Sequence, residues 1–283
     1  MRLHKGKNAV FIWIKISLSI LLFGAFCLPY SLVAVEENKG FSTYNSFEAP
    51  LENTLYLGPI LSYLSIENRE DAQALLPKEE FHGLVAGAKV GYSYLGKGGF
   101  YASLQTKFLA GTLTEDIDAN ARKLHPFSSS SACRLGFAYQ GLQGQDIVVI
   151  PYAGLGFSFF SEKMQQVQKN YYTTFLPVGF LVTYRPLEMF SIGFRLEWFP
   201  DLDAVVEASE TLDKSLLVLS RDTVQLRVDF PLTIRSGNYM ALSIVPFWQK
   251  VGTKGVDSLS VPLTIPEKRR VYWGSNLQLA LFF

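Results

Sequence analysis

Three shortages in the 283-residue sequence exclude several classes of protein before any motif is considered. Only one of the two cysteines, Cys133, follows the leading segment 1–34, so the mature chain would have neither an internal disulfide nor a cysteine-rich metal site. No apolar run of about 18 residues follows Ala34, and no further transmembrane helix is expected. Removing the four basic residues of the leading segment from the total of 26 leaves 22 against 25 acidic residues, which argues against nucleic acid as a partner.

The leading segment, 1–34, has the layout of a secretory signal peptide. Basic residues, among them Arg2 and Lys7, precede an apolar stretch over residues 9–26, and Ala34 offers a small residue for cleavage. An uncleaved membrane anchor is the alternative for this segment.

The rest of the chain alternates between apolar and polar residues with a period of two. In segment 223–232 every even residue is apolar, whereas the odd positions include Gln225, Arg227 and Asp229. Successive side chains of a strand point to opposite faces, so each such segment predicts a strand with one apolar face. Ten segments behave in this way: 54–66, 84–94, 100–112, 131–140, 147–160, 171–184, 190–198, 223–232, 238–250 and 270–283.

The length and spacing of these segments favour a membrane wall over a soluble sandwich. Most have about 10–14 residues; a tilted strand needs roughly 9–11 to cross a bilayer, whereas globular strands average about 5–6. Short and long connectors alternate along the chain, as in an up-and-down barrel. The short connectors lie near 95–98, 141–145, 185–188 and 234–237, and the long ones near 67–81, 113–127, 161–170, 201–218 and 251–268.

Aromatic residues, which make up 14% of the sequence, gather near the ends of the segments. Amphipathic rings favour the headgroup level of a bilayer, so this distribution predicts one aromatic girdle at each interface. One girdle would contain Phe108, Phe159, Tyr172, Trp198, Trp248 and Trp273, and the other Tyr92, Tyr94, Phe100, Tyr139, Tyr184, Phe190 and Phe283.

The segment 271–283 carries the most specific signal. Its odd positions are apolar apart from Ser275, its even positions include Gly, Asn, Gln and Ala, and its last residue is Phe283. This pattern resembles the terminal strand of small outer-membrane β-barrel proteins of the Gram-negative type. The resemblance implies that Leu279, Leu281 and Phe283 form a C-terminal assembly signal for the barrel-assembly machinery, and that outer-membrane lipid, including lipopolysaccharide, is a partner.

These patterns predict an all-β protein: a closed antiparallel up-and-down transmembrane β-barrel of ten strands, with eight or twelve strands as alternatives. Closure is required because hydrocarbon offers no partner for the backbone groups of an open sheet edge. A soluble barrel such as a lipocalin is the competing architecture, although its outer face would need more charged residues. The expected location is the outer membrane, with both termini in the periplasm. The predicted domains are a signal peptide at 1–34, a short periplasmic N-terminal segment at 35–53 and the transmembrane barrel at 54–283.

Charged residues within the segments fall on the polar faces, which would line the lumen. There they could form a narrow anion-preferring pore or a packed set of ion pairs; the packed interior is favoured because barrels of about eight strands are filled by side chains. The predicted lumen-facing charged residues are Lys89, Lys107, Arg134, Arg195, Glu197, Arg227 and Asp229.

Basic residues also cluster around the last long connector. On an exposed rim they could pair with lipid phosphates, although an ordinary solvated loop is an equal alternative. The lipid-phosphate contact candidates are Lys250, Lys254, Lys268, Arg269 and Arg270.

The predicted role is structural or surface-interactive and is carried by long extracellular loops on a rigid barrel. A narrow, porin-like solute channel and a rim-located hydrolase or protease are the alternatives. The protease alternative rests on the pairs Asp116/Asp118 and Asp201/Asp203, but neither mature histidine, His82 or His125, lies two residues from an aspartate to form a water-activating pair. No phosphate loop or metal-spaced cluster occurs either. We therefore expect no catalytic residues, no metal and no cofactor.

Overall fold

The structure is a computed structural model that describes residues 53–282 with internal gaps. The gaps are 70–78, 97, 116–121, 141–146, 165–166, 188, 210–214, 220–223, 238, 254–255, 258–263 and 266. The predicted signal peptide at 1–34, all but the last residue of segment 35–53, and Phe283 therefore lie outside the described residues. Among those described, there is no helix with the length and hydropathy needed to cross a bilayer.

Seventeen β-segments make up the described chain. They are β1 (Thr54–Arg69), β2 (Glu79–Leu95), β3 (Phe100–Gly111), β4 (Leu113–Glu115), β5 (Lys123–Phe137), β6 (Tyr139–Gln140), β7 (Ile147–Met164), β8 (Val167–Phe175), β9 (Val178–Leu187), β10 (Phe190–Ser209), β11 (Ser215–Leu219), β12 (Val224–Asp229), β13 (Leu232–Ser236), β14 (Met240–Thr253), β15 (Val256–Asp257), β16 (Thr264–Ile265) and β17 (Glu267–Phe282).

Fifteen of these segments form one closed antiparallel barrel of ten wall strands, as the alternation predicts. Four wall strands are composite: β3 continues into β4, β5 into β6, β8 into β9, and β11 into β12 and β13. The barrel closes where β17 pairs with β1, from Thr54 opposite Phe282 to Arg69 opposite Glu267. The remaining segments, β15 and β16, pair with each other within the last long connector.

Two of the tight connections use glycine in the left-handed region. Gly99, between β2 and β3, has a φ of 78°, and Gly237, between β13 and β14, has a φ of 69°. A side chain would be strained in this conformation, which glycine adopts at little cost. These connections lie at the same end of the barrel, which we call the turn end; the opposite end, where β1 and β2 are joined through 70–78, is the loop end.

Near the turn end, the apolar faces of the wall strands point outward. On β14, Leu242, Ile244 and Trp248 are exposed, whereas Ser243 and Val245 are buried. On β17, Leu277 and Leu279 are exposed while Asn276 and Ala280 are buried. The exterior of this part of the barrel is therefore an apolar band, and the soluble-barrel alternative, which requires the reverse orientation, is excluded for it.

Aromatic rings occupy both margins of the apolar band. Towards the loop end, the rings of Tyr63 and Trp273 lie 5.1 Å apart, and those of Phe159 and Tyr172 are also 5.1 Å apart. Trp248 lies opposite Trp273 in the register of β14 and β17. At the turn end, Phe100 contacts Phe137 at 5.9 Å and Tyr94 at 6.4 Å.

The wall strands continue beyond the apolar band towards the loop end, and this differs from the sequence prediction. β2 has 17 residues, β7 has 18 and β10 has 20, whereas roughly 9–11 suffice to cross a bilayer. The predicted long connector 161–170 is mostly strand, since only residues 165–166 separate β7 from β8. The expectation of five long loops is therefore wrong at this position, where the barrel wall takes the place of a loop.

The exterior of this extension is mostly polar, although Leu202 is 57% exposed there. The outer surface of the extension carries no apolar band. A strand needs such a band only where its outer face contacts hydrocarbon. Exposed residues of the extension include Glu80, Thr112, Thr114, Lys123, His125, Lys163, Gln168 and Asp203.

Candidate functional site: the barrel interior

The interior of the barrel is filled by three successive layers of side chains. The layer at the turn end is apolar and contains Tyr101, Ile150 and Tyr152. The middle layer contains the seven charged residues predicted to face the lumen, the polar side chains around them and a small apolar cluster of Ala132, Phe175 and Phe199. The loop-end layer is apolar and comprises Ile60, Leu64, Ile66, Phe81, Val85, Leu109, Leu113, Leu124, Phe160, Tyr171, Phe247, Val251 and Tyr272.

Two ion-pair groups organise the middle layer. Arg134 on β5 donates from Nε and Nη2 to the carboxylate of Glu197 on β10, with the second contact at 3.1 Å. Arg227 Nε donates to Asp229 Oδ1 at 2.7 Å, and Arg195 Nη1 lies 3.7 Å from Asp229 Oδ2. The carboxylates are nearly inaccessible, with 1% exposure for both Glu197 and Asp229. Such charges are tolerated inside a protein only when they are paired.

The two lysines of the middle layer have a different environment. Lys107 Nζ donates to Gln249 Oε1 at 2.9 Å, and the same oxygen accepts from Arg227 Nη1 at 3.3 Å. Lys89 Nζ lies over the ring of Tyr56, 5.2 Å from its centroid. Within the described part of the chain, neither lysine pairs with a carboxylate.

A cavity of about 20 Å³ lies in the middle layer. Its polar lining comes from five strands and includes Gln105, Lys107, Arg134, Gln225 and Gln249. A water molecule needs roughly 10–15 Å³ of such space, so the cavity has room for about one small molecule.

Several buried polar atoms of the interior lack a hydrogen bond. Both side-chain polar atoms of Asn276, which is fully buried, have no hydrogen-bond partner among the described residues, and the same is true of Arg195 Nε and Asp229 Oδ2. Buried polar groups are ordinarily hydrogen-bonded to protein or water.

The apolar loop-end layer is the part of the interior that sequence reasoning missed. Leu64 and Phe81 are 1% and 2% exposed although they lie beyond the apolar band. A signal for this layer was present, because the inward residues of β1 change from Tyr56 to Ile60, Leu64 and Ile66 towards the loop end. With leucines on both faces, that segment alternates poorly.

Two of the predicted lipid-phosphate contacts lie inside this loop-end layer. Lys268 and Arg270 are 5% and 7% exposed and face the interior. Lys268 Nζ donates to Glu162, which also accepts from Tyr171 Oη at 2.9 Å. Arg270 lies over the ring of Phe160, 4.2 Å from its centroid. The prediction for these two residues is wrong, because the inward register of β17 separates them from lipid.

The Glu162 carboxylate and the Lys268 ammonium are both charged at neutral pH. Burial raises the pKa of Glu162, but the charge and hydrogen bond of Lys268 outweigh burial and hold that pKa below its ordinary value. Burial lowers the pKa of Lys268 to about 8, against the opposing effect of Glu162. This ion pair therefore links β17 to β7 across the interior of the extension.

The remaining lipid-contact candidates are outward or outside the described residues. Lys250 and Arg269 follow the outward positions of β14 and β17, and both are partly exposed. Lys254 lies outside the described residues. Of the C-terminal assembly signal, Leu279 and Leu281 lie outward in the apolar band at the turn end, with 45% and 40% exposure, and Phe283 lies outside the described residues.

The candidate acids and histidines of a protease are not brought together where the structure describes them. His82 is outward and stacks on Tyr63 at 6.0 Å, and His125 is outward and hydrogen-bonded to Thr112 at 3.1 Å. Asp201 instead faces the interior and accepts from Gln225 Nε2 at 3.1 Å. Next to it, a bulge between residues 201 and 203 leaves Asp203 exposed. Asp116 and Asp118 lie outside the described residues.

Arg122 and two glutamates connect three strands at the loop end. Arg122 donates to Glu115 from Nε and Nη2, both at 2.6 Å, and to Glu79 from Nη2 at 2.8 Å. The hydrogen bonds with both carboxylates raise the pKa of Arg122 above its ordinary value. Because β2, β4 and the start of β5 meet there, the cluster stabilises the geometry of the rim.

Solved structures with a similar fold are outer-membrane proteins. The outer membrane protease OmpT from Escherichia coli aligns with a TM-score of 0.57 over 87% of this chain and 100% of its own, at 9% identity. The translocator domain of the autotransporter NalP from Neisseria meningitidis covers 83% of this chain and 90% of its own, with a TM-score of 0.44 and 9% identity. For the outer membrane protein OprG from Pseudomonas aeruginosa the coverages are 84% and 99%, with a TM-score of 0.39 and 6% identity.

At these identities the similarity concerns the fold alone. No protein-family model matches the sequence, and no curated protein matches it. The chain thus has the closed ten-stranded architecture of an outer-membrane β-barrel protein.

Proposed function

We propose that this protein is an integral outer-membrane barrel with a closed lumen, and that its role is structural or surface-interactive. The observation that carries the proposal is the filled interior: two apolar layers enclose a charged layer, and the cavity between them measures about 20 Å³. A solute channel would need a continuous aqueous path. The surface available to partners is then the loop-end rim, formed by strand extensions and the connectors between them.

The apolar band would lie in the outer membrane with both termini in the periplasm. Outer-membrane lipid, including lipopolysaccharide, would surround it, and Lys250 and Arg269 remain outward candidates for lipid phosphates. Leu279 and Leu281 would contact the barrel-assembly machinery during insertion. An epitope inserted within 258–263 should be detected on intact cells; detection only after the outer membrane is permeabilised would contradict this orientation.

Conductance in planar bilayers tests the closed lumen directly. We expect no steady current from the purified protein, because the loop-end layer blocks the interior. A steady open current would support the channel alternative instead. Before measurement, a compact fast-running gel band without boiling should show that the barrel is folded.

A pair of double variants on the same two strands gives a matched control. Phe160→Ala with Tyr171→Ala removes two inward rings of the loop-end layer and should increase transient current. Phe159→Ala with Tyr172→Ala removes two outward rings at the neighbouring positions and should not. Equal currents from both variants would show that the inward rings do not block the lumen.

We expect no peptide cleavage by this protein. A rim-located hydrolase would be supported instead if the purified protein cleaved model peptides and Asp203→Ala abolished the cleavage. The inward Asp201 and the outward histidines give no structural reason to expect this result.

A further inference from the structure

The middle layer of the barrel has an unbalanced charge. Its seven charged residues carry five cationic groups and two carboxylates, and the inward Asp201, which accepts from the cavity residue Gln225, is a third carboxylate beside them. With every group in its charged form, these described side chains have an excess of two positive charges. The two carboxylates of the layer are already engaged, Glu197 by Arg134 and Asp229 by Arg227 and Arg195. Because uncompensated charge is costly in a buried environment, a bound negative charge would stabilise the layer.

The cavity lies beside cationic groups of this layer. Lys107 and Arg227 both line it, and Lys107 has only the neutral oxygen of Gln249 as its hydrogen-bond acceptor. Lys107 is partly exposed although it faces inward on β3, so its open surface lies against space within the barrel. Two of its three ammonium protons therefore have no acceptor among the described residues.

The amide groups that line the cavity are arranged to donate. Gln249 Oε1 accepts from Lys107 and Arg227, which leaves its NH₂ group as a donor. Gln105 Oε1 accepts from Tyr56 Oη at 3.5 Å, so its NH₂ group is also a donor. The carboxylate of Glu197, which also lines the cavity, is held by Arg134.

We infer that this cavity is a binding site for one small monovalent anion of halide size. A water molecule would satisfy the donors but would leave the excess of positive charge in place, whereas a halide ion does both. The volume of about 20 Å³ admits a monatomic ion and excludes an organic anion such as gluconate. The site is internal and does not depend on the proposed role of the rim.

Thermal unfolding of the full protein, extracted in mild detergent, tests the site. The midpoint is measured by loss of the compact gel band in sodium chloride, sodium bromide or sodium gluconate at one ionic strength, so that screening is equal. Chloride and bromide should raise the midpoint by several degrees relative to gluconate. The rise should grow with the logarithm of halide concentration, as expected for a ligand that binds only the folded state.

Two lysine variants separate this site from general salt effects. Lys107→Gln removes the charge and keeps polar groups at the cavity, and its midpoint should no longer depend on halide. Lys123→Gln changes an exposed lysine on the outer face of the extension and should keep the full dependence. An equal halide effect in Lys107→Gln and the unsubstituted protein would overturn the inference, because the ion would then act elsewhere.

Crystals of the unsubstituted protein give an answer even if Lys107→Gln does not fold. Grown in sodium bromide, they should show an anomalous bromine peak in the cavity between Lys107 and Gln249. Absence of the peak, together with equal midpoints in bromide and gluconate, would show that the cavity binds only water and that the excess charge is relieved by loss of protons.

Discussion

The apolar band and the extension of the barrel wall differ in the residues on their outer and inner faces. In the apolar band, Leu242 and Ile244 are outside while charged residues such as Asp229 are inside. In the extension towards the loop end, Leu64 and Phe81 are inside while Thr114 and Lys123 are outside. One continuous set of strands therefore changes from the arrangement suited to lipid to that suited to water. The change of solvent, and not the backbone, determines which face carries the apolar residues.

The largest effect is expected when a charge of the middle layer loses its partner. Glu197→Ala leaves Arg134 buried and unpaired, and should reduce the free energy of unfolding by about 3–5 kcal/mol. Urea unfolding in lipid vesicles provides the measurement. Asp203→Ala removes an exposed acid from the same strand and should have little effect. A similar loss in both variants would contradict a specific contribution of the buried ion pair to stability.

Substitution of leucines on opposite faces of β1 compares the loop-end layer with the outer face of the wall. Leu64→Ala opens a cavity in the loop-end layer and should cost about 2–5 kcal/mol of unfolding free energy. Leu61, three residues earlier and 57% exposed, faces outward, and Leu61→Ala should cost less because no closed cavity forms. Equal losses, measured by the same urea titrations, would contradict the apolar core of the extension.

Lysine substitutions on the outer face locate the boundary between lipid and water. Ile244→Lys places a charge in the apolar band and should cost about 2–4 kcal/mol. Thr114→Lys places the same charge on the outer face of the extension and should be nearly neutral. The comparison fails if the two substitutions change the free energy of unfolding by the same amount.

Acid should weaken the extension by a smaller amount. The pKa of Glu162 is lower in the folded than in the unfolded chain, so its stabilising contribution is complete above the unfolded value of about 4.3 and is lost as pH falls through the folded pKa. Unfolding midpoints measured between neutral and acidic pH should show this loss, and Glu162→Gln should reduce it. An unchanged pH profile in that variant would mean that other carboxylates account for the acid sensitivity.

The alternation of residues predicted the strand number, the closure and the outward apolar face correctly, because hydrocarbon imposes a strict period of two on the wall. It also placed charged residues such as Arg195 and Glu197 on the inner face, where the structure has them. The extension could not be predicted in this way. Around Ser161, Glu162 and Lys163 the outward residues face water, so the period that identifies a membrane strand is absent and the segment resembles a loop.

The contacts inside the barrel also could not be predicted from the sequence. The ion pair of Lys268 with Glu162 joins residues 106 positions apart, and no local pattern reveals such a partner. Lys268 and Arg270 were consequently misplaced by their position in a basic cluster. The cavity could not be predicted for the same reason, because its lining depends on the register of several strands at once.

The pairing of β1 with β17 also constrains the order of assembly. Thr54 lies opposite Phe282, so the first strand of the wall has no permanent neighbour on one side until the last strand has been synthesised and delivered. Closing a loop of this length is entropically costly and slow. A truncation before Glu267 would therefore leave two strand edges that hydrocarbon cannot satisfy.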